Sequence, residues 1–408
     1  MTLSAPTSEA TTPPERLHLR IHSAVLMLLV ALPSTALFQK YTGLAGVLAY
    51  LLIVAVVWWV VLKTSLCWAP WARRGFQYFA GLACSGLILI FVVVHPIEDG
   101  KGPGKSSDRD EGLNLAATRL MAGKTPYYPA NPEAGPLSVL PGSILLATPF
   151  VALGNSAYQN IFWLAVFLGT ACWFFKDGAL ALILLGLPLA LSPVAQYEFI
   201  SGGDLISNGI FVAVFALAAI TVWANPASPA WQRWLTCLLL GMAFASRANF
   251  LLLAPLFGAA VWRISGPRPA ILASLLVGLT SLALTVPFYL NNPGEFTPLL
   301  TKAKLGGVDH ALPWASKAMI AATILASLIS ACWLIFKREG RPIIGFFRCC
   351  TYVTLTPIIC SILLASFWRG QLDLRILQER FGLMFVFFAL FGWGAALLST
   401  ESDDPMIR

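Results

Sequence analysis

Asp108, Asp110 and Glu111 crowd into four positions within residues 95–129, the longest polar stretch of an otherwise apolar chain. Carboxylates spaced this closely can do two kinds of chemistry. One can act as a general base that takes a proton from an attacking hydroxyl or amine. The Asp-x-Asp arrangement at 108–110 can instead hold a hard divalent cation, Mg or Mn, through oxygen ligands. A blander use competes, because acids at the start of a helix are ordinary capping residues that the helix dipole favours. Such a helix does follow: Leu113, Ala116, Ala117, Leu120 and Met121 fall on one face, and Gly123 stops it. That face suits a helix lying flat on a bilayer. Asp204, in Ser201-Gly-Gly-Asp, is both good turn chemistry and a second candidate ligand for cation or substrate. Arg247 and Arg380 stand closest to apolar runs and are the first candidates to grip a phosphate, followed by Arg375, with Arg369, Lys302 and Lys304 behind them.

The elements that must hold these residues are membrane helices. The chain is 58% hydrophobic and 11% charged, with 14 Trp and 26 Phe. Its apolar runs match a bilayer core of about 30 Å. A net charge of +8 raises the question of nucleic acid, but Lys and Arg are scattered among short loops instead of striping one face. Loop topology and anionic lipid explain the excess, and no nucleic acid is expected. The eight cysteines lie in or beside apolar runs without any CxxC, and they read as small buried hydrophobes.

Apolar runs fall near 21–38, 43–62, 77–95, 137–153, 157–175, 178–195, 207–224, 234–262, 270–290, 318–336, 349–367 and 380–398. Pro141 and Pro149 make 137–153 a poor spanning helix, so it is read as interfacial. The run 234–262 has Arg247 at its middle and is read as a hairpin turning at 246–249, because a midplane Arg costs roughly 2.5–3.5 kcal/mol even on lenient scales. The expected architecture is all-α, about 12 transmembrane helices plus interfacial helices. A disordered tail at 1–20 and a second at 399–408 flank a single transmembrane domain, 21–398, whose first large outer loop is 96–156. Basic loops around Lys63–Arg74, Arg263–Arg268 and Lys337–Arg348 are expected in the cytosol, which puts the acidic loop and Asp204 outside.

At this point the chain resembles the GT-C superfamily of polytopic glycosyltransferases, among them mannosyltransferases and aminoarabinose transferases. The likeness lies in Asp110-Glu111, Ala116-Ala117, Gly123 and Pro126-Tyr127, and extends to Gly203-Asp204, to Gly241–Leu253 and to Pro287-Phe-Tyr-Leu. It implies transfer of a sugar, with inversion, from a polyprenyl-phosphate carrier to a lipid, glycan or protein acceptor. The work would take place on the extracytoplasmic side of a bacterial inner membrane. Asp110 would be the base, with Glu111 or Asp108 as alternatives. Asp204 and Tyr127 would assist acceptor or metal, and Arg247, Arg380 and Arg375 would bind the donor phosphate. Any metal would sit on Asp108, Asp110 and Asp204.

The rival class is a transporter or flippase of lipid-linked sugars or other amphiphiles. A transporter should show internal symmetry and broken helices with polar groups at the midplane, whereas no inverted repeat is visible and polar residues gather in outer loops. Gly100-Lys-Gly-Pro-Gly-Lys-Ser106 imitates a phosphate-binding loop but is one residue short between its glycines. The four histidines share no metal spacing, and His95 reads as an interface marker.

Overall fold

The computed structural model describes residues 13–100, 109–128, 137–299, 313–337, 341–374 and 382–397, and these are helical without a strand. The helices are α1 Pro13–Arg74, α2 Phe76–Asp99, α3 Arg109–Met121, α4 Pro141–Ala152, α5 Tyr158–Phe175, α6 Gly178–Leu191, α7 Pro193–Ile200 and α8 Leu205–Ala224. They continue with α9 Ala230–Phe244, α10 Ala248–Leu251, α11 Ala254–Ser265, α12 Pro267–Asn291, α13 Ala315–Phe336, α14 Pro342–Arg369 and α15 Leu383–Trp393. Among the described residues, 8 helices are long and apolar enough to cross a bilayer, or 9 if the bent α6–α7 pair is one span. Their outer faces expose Leu52, Leu82, Leu279, Leu325 and Leu363. So much exposed apolar surface is untenable in water and natural against lipid. The chain is an integral membrane protein.

Several runs expected as separate spans take other forms, each for a local reason. Runs 21–38 and 43–62 are the two arms of α1, which turns at Gly43 with φ 69°, a left-handed conformation that glycine adopts without strain. The arms lie antiparallel, since the Tyr50 hydroxyl reaches the Ala31 carbonyl (3.3 Å) and Trp58 Nε1 donates to Ser23 (3.0 Å). The helix itself begins at Pro13, inside the stretch expected as a disordered tail, because a first turn tolerates proline. Residues 1–12 and the 399–408 tail lie outside the described residues. The 178–195 run breaks at Ser192 and bends by 92° into α7. Ser192 is extended (φ −111°, ψ 100°), as a residue before proline prefers, and its hydroxyl caps α7 by accepting from the Ala195 N–H. The last run shortens to α15, whose eleven residues are all buried.

The 234–262 run does reverse. Trp223, near the end of α8, donates from Nε1 to Cys237 midway along α9 (3.2 Å), and its carbonyl accepts from Ser265 at the end of α11 (2.7 Å). The chain therefore leaves and returns to the same end of the bundle, with Arg247 at the far turn. α4, at 12 residues, is too short to cross. One expectation is corrected: the apolar stripe of α3 does not lie on lipid. Leu113, Ala116 and Ala117 are buried against Tyr127, Leu140, Ile144 and Ala147, so α4 and the returning loop cover that part of it, while Met121 at its end stays exposed.

Acidic residues concentrate at one end of the bundle, while basic residues stand at both. At one end Arg73 pairs with Asp177 (2.9 Å), which caps α6, and Arg348 donates to the Gly392 carbonyl (2.7 Å) beside His22. Lys176, Arg263 and Lys337 stand at helix ends, and Arg268 at the start of α12, at that same end. The opposite end gathers Glu98, Asp99, Asp110, Glu111, Glu198 and Asp204.

Candidate active site

Asp110 and Glu111 occupy the first turn of α3, and that turn is bolted to the start of α5. Asn114 accepts from the Ser156 N–H (2.7 Å) and donates to Asn155 (3.1 Å), while the Ser156 hydroxyl donates to the Asp110 carbonyl (3.4 Å). Asp110 is 2% exposed. Oxygens of Asp99, at the end of α2, Asp110 and Glu111 all lie within 4.8 Å of one another. Burial pushes the Asp110 carboxyl up to about 9, helped by a hydrogen bond to Glu111 and by the negative charges of Glu111 and Asp99. At neutral pH Asp110 therefore holds a proton, beside Glu111 as its hydrogen-bond partner. Asp110 Oδ1 and Glu111 Oε2 are buried without a hydrogen-bond partner among the described residues. Three converging oxygens with two unpartnered can hold a proton or a hard cation such as Mg.

The Gly202–Gly203 turn closes over this cluster. Gly202 has φ +70°, and a Cβ there would stand 2.7 Å from the Ala157 Cβ, 3.0 Å from Asp110 Oδ2 and 3.1 Å from His95 Cε1. A Cβ on Gly203 would lie 2.3 Å from Glu198. Glu198 is fully buried and accepts the Leu205 N–H (2.9 Å), so its carboxylate caps α8. Asn160 donates to the Gly203 carbonyl (2.8 Å) and accepts from Ser207 (2.6 Å). Gly202→Ala should cost roughly 1–3 kcal/mol from the left-handed conformation alone, with the overlap added. Its melting temperature and any activity should both drop, whereas Gly169→Ala, where nothing lies within 4 Å, should leave both intact. Equal behaviour of the two variants would remove the turn from the site.

Asp204 and Arg247 were assigned different ligands by sequence, and they hold each other. Arg247 Nη2 donates to both Asp204 oxygens at 2.6 Å, and Asn208 adds a bond at 2.8 Å. Both side chains are buried, at 8% and 4% exposed. Asp204 is therefore not in the carboxylate set around Asp110; Asp99 stands where Asp204 was expected. Arg247 is committed to a protein partner through Nη2, and its buried Nε has no partner among the described residues. The pair forms because α4 docks on the α9–α10 turn through Leu140 N–H to Ser246 O (2.9 Å) and Gly142 N–H to Ala245 O (2.7 Å). Gly142 permits that approach, since its Cβ would fall 2.0 Å from the Met242 carbonyl.

Tyr127 is 2% exposed and its hydroxyl donates to the Val139 carbonyl (3.3 Å), while its ring packs on Phe288 and Phe296. Burial drives its phenol far above the ordinary range, so it shapes the return loop and does not meet the carboxylates. Asp108, Arg375 and Arg380, with Lys302 and Lys304, lie outside the described residues. Sequence reasoning passed over Asp99, Glu198, His95 and Asn160 as site members. The available signal was polar residues at the very heads of apolar helices, as in Gln159-Asn160 and Ser207-Asn208.

No protein-family model matches this chain, and no curated protein and no solved structure is similar to it.

Proposed function

We propose that this protein is an integral-membrane glycosyltransferase of the GT-C type, moving a sugar from a polyprenyl-phosphate carrier to an acceptor on the extracytoplasmic side. The observation that carries the reading is Asp110, buried at 2% exposure at the head of a pinned helix, at the end of the bundle away from the basic loops. Asp110 is the base: it takes the acceptor's hydroxyl proton as the oxygen attacks the anomeric carbon. The bond from that carbon to the phosphate oxygen breaks, and the polyprenyl phosphate leaves with the electron pair. One displacement inverts the centre. Asp99 and Glu111 would complete an oxygen set for Mg or Mn, whose charge would favour the ionised carboxylate and steady the leaving phosphate. With Arg247 engaged by Asp204, Arg375 and Arg380 are the remaining proposed phosphate ligands.

Twelve crossings follow when both arms of α1, the bent α6–α7 pair and the short α9 and α15 are each counted as spanning. Basic loops then face the cytosol. Single cysteines replacing Lys124 and Lys176, both exposed, in a cysteine-free background should label from opposite faces, with Lys124→Cys reached from outside. Labelling from one face would sink the arrangement.

A transporter is the second reading, favoured by one observation: a buried carboxyl pushed up to about 9 can carry a proton through a membrane protein. The deciding experiment incubates purified protein with a panel of polyprenyl-phosphate sugars and weighs the products. Transfer or hydrolysis of a sugar supports the enzyme. No product from any donor, with pH-gradient-driven flux in proteoliposomes, replaces it with the transporter.

A further inference from the structure

We propose that Asn114 is the positioning residue for Asp110: with Asn155 it ties the head of α3 to the head of α5, and so fixes where the carboxylate meets the acceptor. The proposal rests on the glycosyl-transfer reading above.

Asn114 stands four residues after Asp110 on α3, so the two side chains lie on one side of the helix, a turn apart. Its Oδ1 accepts the Ser156 N–H at 2.7 Å. That bond fixes the amide's orientation, because an N–H needs the oxygen, and Nδ2 is left to donate to Asn155 Oδ1 at 3.1 Å. The same Asn155 oxygen accepts the Ala157 N–H at 2.9 Å. Two side-chain amides therefore serve two N–H groups at the threshold of α5, ahead of that helix's own hydrogen-bond ladder. Ala157, the cap residue of α5, has no side chain that could do so.

Apolar packing alone would not set the carboxylate's place. Leu113, Ala116 and Ala117 press on α4 and the returning loop, and such contact is non-directional: it resists separation without choosing an axial position. Direction comes from hydrogen bonds. The Ser156 hydroxyl reaches the Asp110 carbonyl at 3.4 Å and the Tyr128 hydroxyl the Gly112 carbonyl at 3.3 Å, while the two shorter bonds run through Asn114. The head of α5 also carries the cover of the site. The Ala157 Cβ and Asp110 Oδ2 stand 2.7 and 3.0 Å from the place a Cβ on Gly202 would fill, and Asn160 donates to the Gly203 carbonyl (2.8 Å). Base and cover are thus indexed to one helix end, and Asn114 is the link on the side of the base.

A general base works only within hydrogen-bond reach of the proton it takes, and a misplacement of about 1 Å costs roughly a hundredfold in rate. A slip of α3 at Asn114 is delivered to Asp110, one turn away on the same helix face, almost undiminished. In this role Asn114 touches neither donor nor acceptor, so its effect falls on kcat and not on binding.

Asn114→Leu keeps the volume and removes both bonds. Its kcat should fall about 10–10²-fold, with KM for the polyprenyl-phosphate sugar within a few-fold. Asn155 supplies an internal check, because only its oxygen is engaged among the described residues. Asn155→Asp should therefore keep kcat near the wild-type value, and Asn155→Leu should match Asn114→Leu. Ser265→Ala, which removes a bond to the Trp223 carbonyl at the other end of the bundle, should lower the melting temperature without changing kcat. Wild-type kcat in Asn114→Leu, an equal loss in Ser265→Ala, or an Asn155→Asp as slow as Asn155→Leu overturns the proposal, while product from the wild-type protein still upholds the transferase. A second measurement needs no turnover. In a cysteine-free background Asp110→Cys should react slowly with a small neutral maleimide, since position 110 is 2% exposed. Adding Asn114→Leu should speed that reaction about tenfold or more, as the head of α3 comes loose. An unchanged rate overturns the positioning role whether or not a sugar is transferred.

Discussion

Asp110→Asn should abolish turnover and yet give a protein at least as stable as the wild type at neutral and alkaline pH. Asn keeps the size and most of the capping ability of Asp but has no lone pair basic enough to take a proton. The loss of a positioned base is worth about 10²–10⁴ in rate, and with the anomeric carbon's attack depending on it, the upper end is expected. The stability half follows from linkage. In the folded protein the Asp110 carboxyl is raised from 3.8 to about 9, so between those values the folded state binds more protons than the unfolded state. Stability must then fall as pH rises through that window. Asn cannot ionise and escapes the penalty, so its advantage in melting temperature should grow from pH 5 to pH 9 and vanish near pH 4. Wild-type activity should run the other way, rising toward alkaline pH. If Glu111→Gln is dead and Asp110→Asn turns over, the base is Glu111. Normal turnover by both would take the site away from α3.

How much of this was legible in the chain depends on how local each cause is. The acidic cluster, the short α4 and the reversal at Arg247 could be read because proline content, helical spacing and a charge inside an apolar run act within a few residues. The burial of the α3 stripe could not be read from α3, because nothing in Leu113–Met121 distinguishes a lipid surface from the side of α4. The same holds for chemistry. Asp110 was visible as an acid at a helix start, but its unusual hold on a proton comes first from burial, then from Glu111 beside it, and least from Asp99. The burial is the work of neighbours remote in sequence, among them Gly202, 92 positions further along the chain. Gly202 itself reads only as turn chemistry; what matters is the space its missing side chain leaves between Asp110 and His95.

The Asp204–Arg247 pair is where reading the sequence residue by residue failed, and it carries the second large effect. Taken alone, each residue looks like a ligand for something outside the protein. Together they neutralise each other at 8% and 4% exposure, which joins the head of α8 to the turn between α9 and α10. Removing one partner leaves a buried charge uncompensated, which costs about 3–5 kcal/mol. Asp204→Asn should therefore shift unfolding in mixed detergent micelles by that amount, and Arg247→Gln by a similar one. The double variant should recover most of it, because two neutral amides in place of the pair leave no orphaned charge. A double-variant cycle should thus give a coupling larger than about 3 kcal/mol, since two single costs of that size collapse into a smaller one. Additive costs below about 1 kcal/mol, as for exposed pairs, would mean that Arg247 finds its anion elsewhere. That outcome would restore it as a ligand for the donor phosphate, and donor KM in Arg247→Lys would then be the measurement to make. If the coupling is large, Arg247→Lys should instead raise no donor KM, because the guanidinium holds the two helix ends and never meets the lipid.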